Sequence, residues 1–198
     1  EGEVQALLEA YHLESHMTEI KEWYDGYRFG DADIYCPWDV VNYVAALVKE
    51  PDTEPESYWI NSSGNDLVKR FIDKADKTTR DEIERLLAGE TIEKNIRLDL
   101  TYDEIDNSID NVWSVLFTTG YLTQVGKPKH GNYTLRIPNE EVRQVFKNQI
   151  REWFKNTVQK DTEGLRPFWK AFLEGNAHDI EDILTKTMGR TISVLDPK

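Results

Sequence analysis

The stretch whose reading decides the fold runs from Asn111 to Val142, NVWSVLFTTGYLTQVGKPKHGNYTLRIPNEEV. Val112 to Phe117 is apolar and Gly120 follows shortly after, which predicts a helix over roughly 111–119. Tyr121–Val125 and Tyr133–Ile137 read as two strands around the turn Gly126-Lys127-Pro128-Lys129-His130-Gly131-Asn132. Pro138-Asn139 ends the second strand, and Asn139 suits the N-cap of a long helix over 140–158.

Upstream of this stretch, Thr79–Leu87 predicts a helix capped by Thr78 or Thr79 and stopped by Gly89. Residues 91–100 alternate weakly and suggest a strand, and Thr101-Tyr102-Asp103-Glu104 has the form of a capping box. From 77 to 158 the order is helix, strand, helix, helix, strand, turn, strand, helix, which is the order of a winged helix with its wing at 121–137. The first 76 residues read as a helical subdomain. Val4, Leu7, Leu8 and Tyr11 share one helix face, and His16 to Tyr24 forms a second helix. Tyr27-Arg28-Phe29 and Ile34-Tyr35-Cys36 flank a Gly-Asp turn and predict a hairpin near 27–36. Pro37 suits the first turn of the next helix, and a further amphipathic helix passes through Leu67, Val68, Phe71 and Ile72. Residues 159–198 read as a helical connector, with Leu165 to Leu184 amphipathic. The expected fold class is therefore mainly α with small antiparallel β-hairpins, a helical subdomain followed by a winged-helix-like unit.

With 198 residues and 39% hydrophobic content the chain can bury one substantial core or two small ones. It has no apolar run long enough to span a bilayer. It opens on an acidic amphipathic segment without Met or a signal-peptide pattern, so it reads as a piece of a longer protein. Its single cysteine, Cys36, cannot form an internal disulfide, which fits a cytoplasmic location. Charge is uneven. Residues 1–120 hold 11 Lys and Arg against 27 Asp and Glu, residues 121–170 hold 10 against 5, and residues 171–198 hold 3 against 5. A solvated acidic surface is the favoured reading. The alternative gives the basic segment an acidic partner, either nucleic acid or the acidic half of the same chain.

The stretches WYDGYRFG, IYCPWDVVNYV, YWINSSGNDL, NVWSVLFTTGYLT, YTLRIPNEEV and RTISVLD, in that order, resemble one bacterial family. It comprises AAA-ATPase-like proteins that carry a PD-(D/E)XK nuclease-like domain at the C-terminus. The resemblance covers nearly the whole chain and implies the region after the ATPase core and before the nuclease-like domain. It implies a non-catalytic lid and winged-helix regulatory region. ATP and Mg²⁺ are expected for the parent protein but no cofactor for this chain, and the expected partners are the two missing domains. Cys36 departs from the family's usual Asn before the proline, and Asn is the better helix cap.

The sequence offers no catalytic residues. No Walker A pattern is present. Glu19-Ile20-Lys21 matches the E-x-K of a nuclease only by letters, on a helical pattern. His12 and His16 sit four apart without the Glu placement or third ligand of a zinc site. Cys36 reads as a small core residue. Arg28, among aromatics, either senses a phosphate in the missing ATPase core or braces the hairpin by stacking on Tyr27 or Trp38 or pairing with Asp25; the bracing role is favoured. Ser63 and Asn65 precede a helix and offer an anion site or, as favoured, an ordinary cap. Lys127 and Lys129 in the wing, with Arg143 and Lys147 on the next helix, are the candidate phosphate contacts of a nucleic-acid-binding module. The helix in the recognition position has no Lys or Arg and reads as buried, so a structural or docking use of the winged helix comes first. A protein-interaction module is a third reading.

Overall fold

The computed structural model describes residues 1–58, 66–100, 104, 107–160 and isolated positions between 170 and 185. The described residues are mainly helical with two small antiparallel sheets. Helix α1 (Gly2–Tyr11) ends on His12, which takes the left-handed conformation at φ 58. A single 3₁₀ turn at Glu14–His16 leads into α2 (Met17–Tyr24). Strands β1 (Tyr27–Phe29) and β2 (Ala32–Ile34) pair with Arg28 opposite Asp33. The turn is thus only Gly30-Asp31, tighter than the four-residue turn read from sequence. Gly30, at φ 61, accepts the left-handed backbone that this tight connection demands. Helix α3 (Pro37–Lys49) begins with proline in its first turn, as expected. Cys36, in the cap position, makes no side-chain cap bond.

Helix α4 (Asp66–Lys74) precedes α5 (Lys77–Leu87), whose cap is Asp76 rather than Thr78 or Thr79. The Asp76 carboxylate accepts the Thr79 N–H at 2.8 Å. Strand β3 (Ile92–Asn95) is shorter than the 91–100 reading. Helix α6 (Ile109–Thr118) is capped by Ser108, whose hydroxyl accepts the Asn111 N–H at 3.2 Å. The capping box read at 101–104 lies mostly outside the described residues. Strands β4 (Thr123–Gln124) and β5 (Asn132–Arg136) follow, then α7 (Glu140–Lys160), capped by Asn139 as expected. The second sheet has the order β3-β5-β4, all antiparallel. No helix among the described residues is long and apolar enough to cross a membrane.

Two apolar cores result. The first gathers Leu8, Leu13, Ile20, Tyr24, Tyr35, Val40, Tyr43, Val44 and Leu47 from α1 to α3. Its tyrosines also fix the loop after α3. The Tyr24 hydroxyl donates to the Glu56 carbonyl at 3.0 Å, and the Tyr43 hydroxyl, which donates to Glu19 on α2 at 2.8 Å, also lies 3.2 Å from the Thr53 carbonyl. The second core centres on Trp113, Leu116, Leu122, Leu135 and Phe146. Helix α4 belongs to it through Val68, Phe71, Ile72 and Ala75, with the Phe71 ring 4.5 Å from Trp113 in an edge-on contact. The sequence placed α4 with the first 76 residues; its packing puts it with the unit that follows. Helix α6 is buried along Asn111 to Ser114 and at Leu116, as its composition implied.

The two cores meet at the root of the hairpin. Gly26, at φ 98, lies so close to the Pro138 carbonyl that a Cβ added there would sit 2.0 Å from its oxygen. The Asn139 side-chain amide donates to the Asp25 carbonyl at 3.0 Å, while its Oδ1 accepts the Val142 N–H at 3.1 Å. One residue therefore caps α7 and holds the hairpin root.

Gly26→Ala forces both a backbone clash and a left-handed alanine, and is expected to cost about 3 kcal/mol in urea unfolding. Gly30→Ala meets nothing within 4 Å and carries only the conformational penalty, about 1 kcal/mol. Equal losses at the two positions would show that the approach to Pro138 does not matter.

Candidate functional site

Strand β1 separates two clefts, and Arg28 lines both. The first, of about 580 Å³, carries Lys21, Arg28 and Arg136 against Glu1, Asp25 and Asp33. The second, of about 440 Å³, is apolar and aromatic, with Tyr27, Phe29, Phe117, Leu122 and Tyr133 among its walls. The site follows from strand geometry. The Arg28 N–H points away from β2 and donates to the Thr123 hydroxyl on β4 at 3.0 Å. Thr123 is itself the register partner of Arg136 on β5. Hairpin and wing are thus stitched edge to edge, and the two arginines flank the stitch.

Arg28 does not pair with Asp25 as the sequence reading allowed. Its Nη1 donates to Asp33 at 2.9 Å across the hairpin, and Nη2 lies 3.9 Å from Asp31. Nor does Arg28 stack on Tyr27 or Trp38: among the described residues the cations lying over aromatic rings are Arg80 over Trp153 and Lys94 over Trp113. The bracing role is met by an ion pair and a backbone bond instead. Because Asp33 is largely exposed, an incoming anion could take its place at modest cost. The first cleft has three cationic and three anionic side chains; Lys21 and Arg28 are paired there with Glu1 and Asp33, while Arg136 is in no ion pair among the described residues.

The candidate phosphate contacts are mostly engaged. Lys127 reaches across to Asp31, with Nζ 3.1 Å from Oδ1 and 3.2 Å from Oδ2. Arg143 and Lys147 both approach Glu140, at 3.5 and 3.4 Å. Lys129 forms a backbone bridge with Asn132 at the wing tip. Ser63 and Asn65 lie outside the described residues. The structure therefore brings Arg28 and Lys127 to one acidic turn and leaves Arg143 and Lys147 on α7. Arg136 was missed by the sequence reading. The signal was the alternation of Tyr133, Thr134, Leu135 and Arg136, which turns Leu135 into the core and leaves Arg136 exposed.

His16 bonds Glu19 at 2.8 Å, and that contact, ahead of the Tyr43 bond, holds the Glu19 carboxyl below its usual range. Among the described residues no His, Cys, Asp or Glu cluster is arranged to hold a metal ion. Cys36 is held as the neutral thiol. Burial first, then the Asp39 carboxylate beside it, push its thiol up from 9.0 to about 12. Burial likewise raises Tyr24, Tyr27 and Tyr43 and takes Tyr35 from 10.0 to about 12.

No protein-family model, curated protein or solved structure matches the chain. The family resemblance rests on the six sequence stretches alone.

Two outcomes test this geometry. Thr123→Val strands a backbone N–H inside the joint and is expected to cost about 1–3 kcal/mol. Arg28→Ala loses only a surface ion pair, about 1 kcal/mol or less; a larger loss for Arg28→Ala in urea titrations would contradict the assignment. The raised thiol and phenols are neutral in the fold and ionise first in the unfolded chain. Their contribution is complete below about pH 9 and is lost as pH climbs toward the folded values. Unfolding midpoints are expected to hold steady up to that point and fall above it, and Cys36 is expected to alkylate slowly in the native protein at mildly alkaline pH.

Proposed function

We propose that this chain is a non-catalytic regulatory region of a cytoplasmic P-loop ATPase, with residues 77–158 forming a winged-helix-like unit. It couples the nucleotide state of a preceding ATPase core to a following nuclease-like domain. The strand order β3-β5-β4, with α6 entering β4 and a glycine-bearing turn joining β4 to β5, supports the winged-helix reading. The observation that carries the coupling role is the joint. Backbone contact at Gly26–Pro138 and the Asn139 bonds tie the hairpin to the start of α7, and the Arg28–Thr123 bond ties it to the wing, so a displacement of one is passed to the others. Arg28, at the cleft edge, is the residue proposed to respond to a phosphate of the core. The buried α6 and the engaged cations around the wing count against direct reading of nucleic acid, because a DNA-reading helix needs exposed polar donors.

The test belongs in the parent protein. Replacing residues 1–160 by a flexible linker is expected to uncouple nuclease activity from ATP, and Arg28→Ala to reduce the ATP dependence by about tenfold. Unchanged ATPase and nuclease behaviour after the replacement would sink the proposal.

A further inference from the structure

Helix α3 is apolar on two sides. Val40, Tyr43, Val44 and Leu47 fill the first core. Trp38, Val41, Ala45 and Val48 point the other way and are exposed; the three larger ones are 59%, 58% and 52% accessible. Their spacing of three, four and three residues sets them in one stripe along the helix, the spacing with which one helix receives another. Isolated surface apolar residues are ordinary, but a Trp-led row on a single face is a docking feature.

Charge decides what can dock there. Residues 1–58 hold 14 Asp and Glu against 3 Lys and Arg. Of the three cations, Lys21 is engaged by Glu1 and Arg28 by Asp33, and the third, Lys49, is exposed on the last turn of α3 beside Glu50. Glu50, Asp52 and Glu54 follow directly on the C-terminal end of α3 and are exposed, where the helix dipole is also negative. A second copy of this face would bring the same charge against itself, and nucleic acid or an anionic bilayer would be repelled as well. We propose that the Trp38–Val48 face of α3 is a docking surface for a basic amphipathic helix of another protein. Apolar residues of that helix pack along the stripe, and its lysines or arginines meet the carboxylates at the end of α3. The inference does not depend on the coupling role proposed above, since the joint lies on the hairpin and α7.

The test uses the whole 198-residue chain and a synthetic amphipathic helical peptide with leucines at three-four spacing and lysine flanks. A glutamate-flanked analogue serves as control. Calorimetry at physiological salt is expected to give micromolar binding of the lysine peptide and none of the analogue. Val41→Glu with Val48→Glu adds negative charge, so simple attraction would strengthen, yet binding is expected to weaken about tenfold or more. Trp38→Ala is expected to weaken it too, with circular dichroism unchanged for both variants because all three side chains are exposed. Undiminished binding by the double variant, equal binding of the glutamate analogue, or no binding of the lysine peptide overturns the proposal. So does a dimer in sedimentation that the double variant dissolves, since a second copy would then be the occupant.

Discussion

The close approach of Gly26 to the Pro138 carbonyl is the constraint on which the arrangement of the two cores depends. A side chain at either the wrong size or the wrong backbone angle would push the hairpin root away from the start of α7. Separation there would break more than one contact. The Asp25 carbonyl would lose the Asn139 amide, and the Arg28 N–H would move off the Thr123 hydroxyl. Asn139 is the sensitive member, because the same amide group caps α7 through Val142. Polar groups buried in such a joint are costly to leave unmade, so the joint should open as a unit rather than one bond at a time.

Within each half, the helices owe their position to apolar packing, and the loops owe theirs to hydroxyls. Tyr24 and Tyr43 lie in the first core with ring centroids 5.7 Å apart, and each carries its hydroxyl outward. Phenylalanine at either place would keep the packing and lose the hold on the residues after α3. In the second core Lys94 takes a comparable double part. It pairs with Glu82 at 2.7 Å and lies 5.0 Å above the Trp113 ring, joining α5, β3 and α6 on one side.

What was legible in the sequence was local. Apolar periodicity located α1 to α4, an apolar run located α6, and Pro138-Asn139 announced the start of α7. The α5 cap was misplaced because Asp76, Thr78 and Thr79 can all cap a helix, and only the backbone path selects among them. The tight hairpin turn was blurred because Asp31 and Asp33 look equally turn-like, although Asp33 is the strand partner of Arg28. The side on which α4 packs could not be read at all, since an amphipathic stripe does not name the surface it meets. The same holds for the ion pair of Lys127 with Asp31, 96 positions away, and for the convergence of Arg136 on the Arg28 cleft.

That pairing changes what the basic segment means. Read linearly, residues 121–170 are a positive region in an acidic chain and invite a phosphate partner. In the fold, Lys127 bends to the acidic hairpin turn, while Arg143 and Lys147 are drawn to Glu140 on their own helix. The exposed Lys127–Asp31 pair is screened by salt and adds little stability, and the half-buried pairs with Glu140 lie within α7, so none of them holds the wing in place. The backbone and apolar contacts of the joint do that. What the pairs do is lower the positive field that a nucleic acid would meet at the wing, while the first 58 residues still hold 14 Asp and Glu against 3 Lys and Arg. That leaves an excess of negative charge around α1 to α3, the charge on which the proposed docking of a basic helix relies.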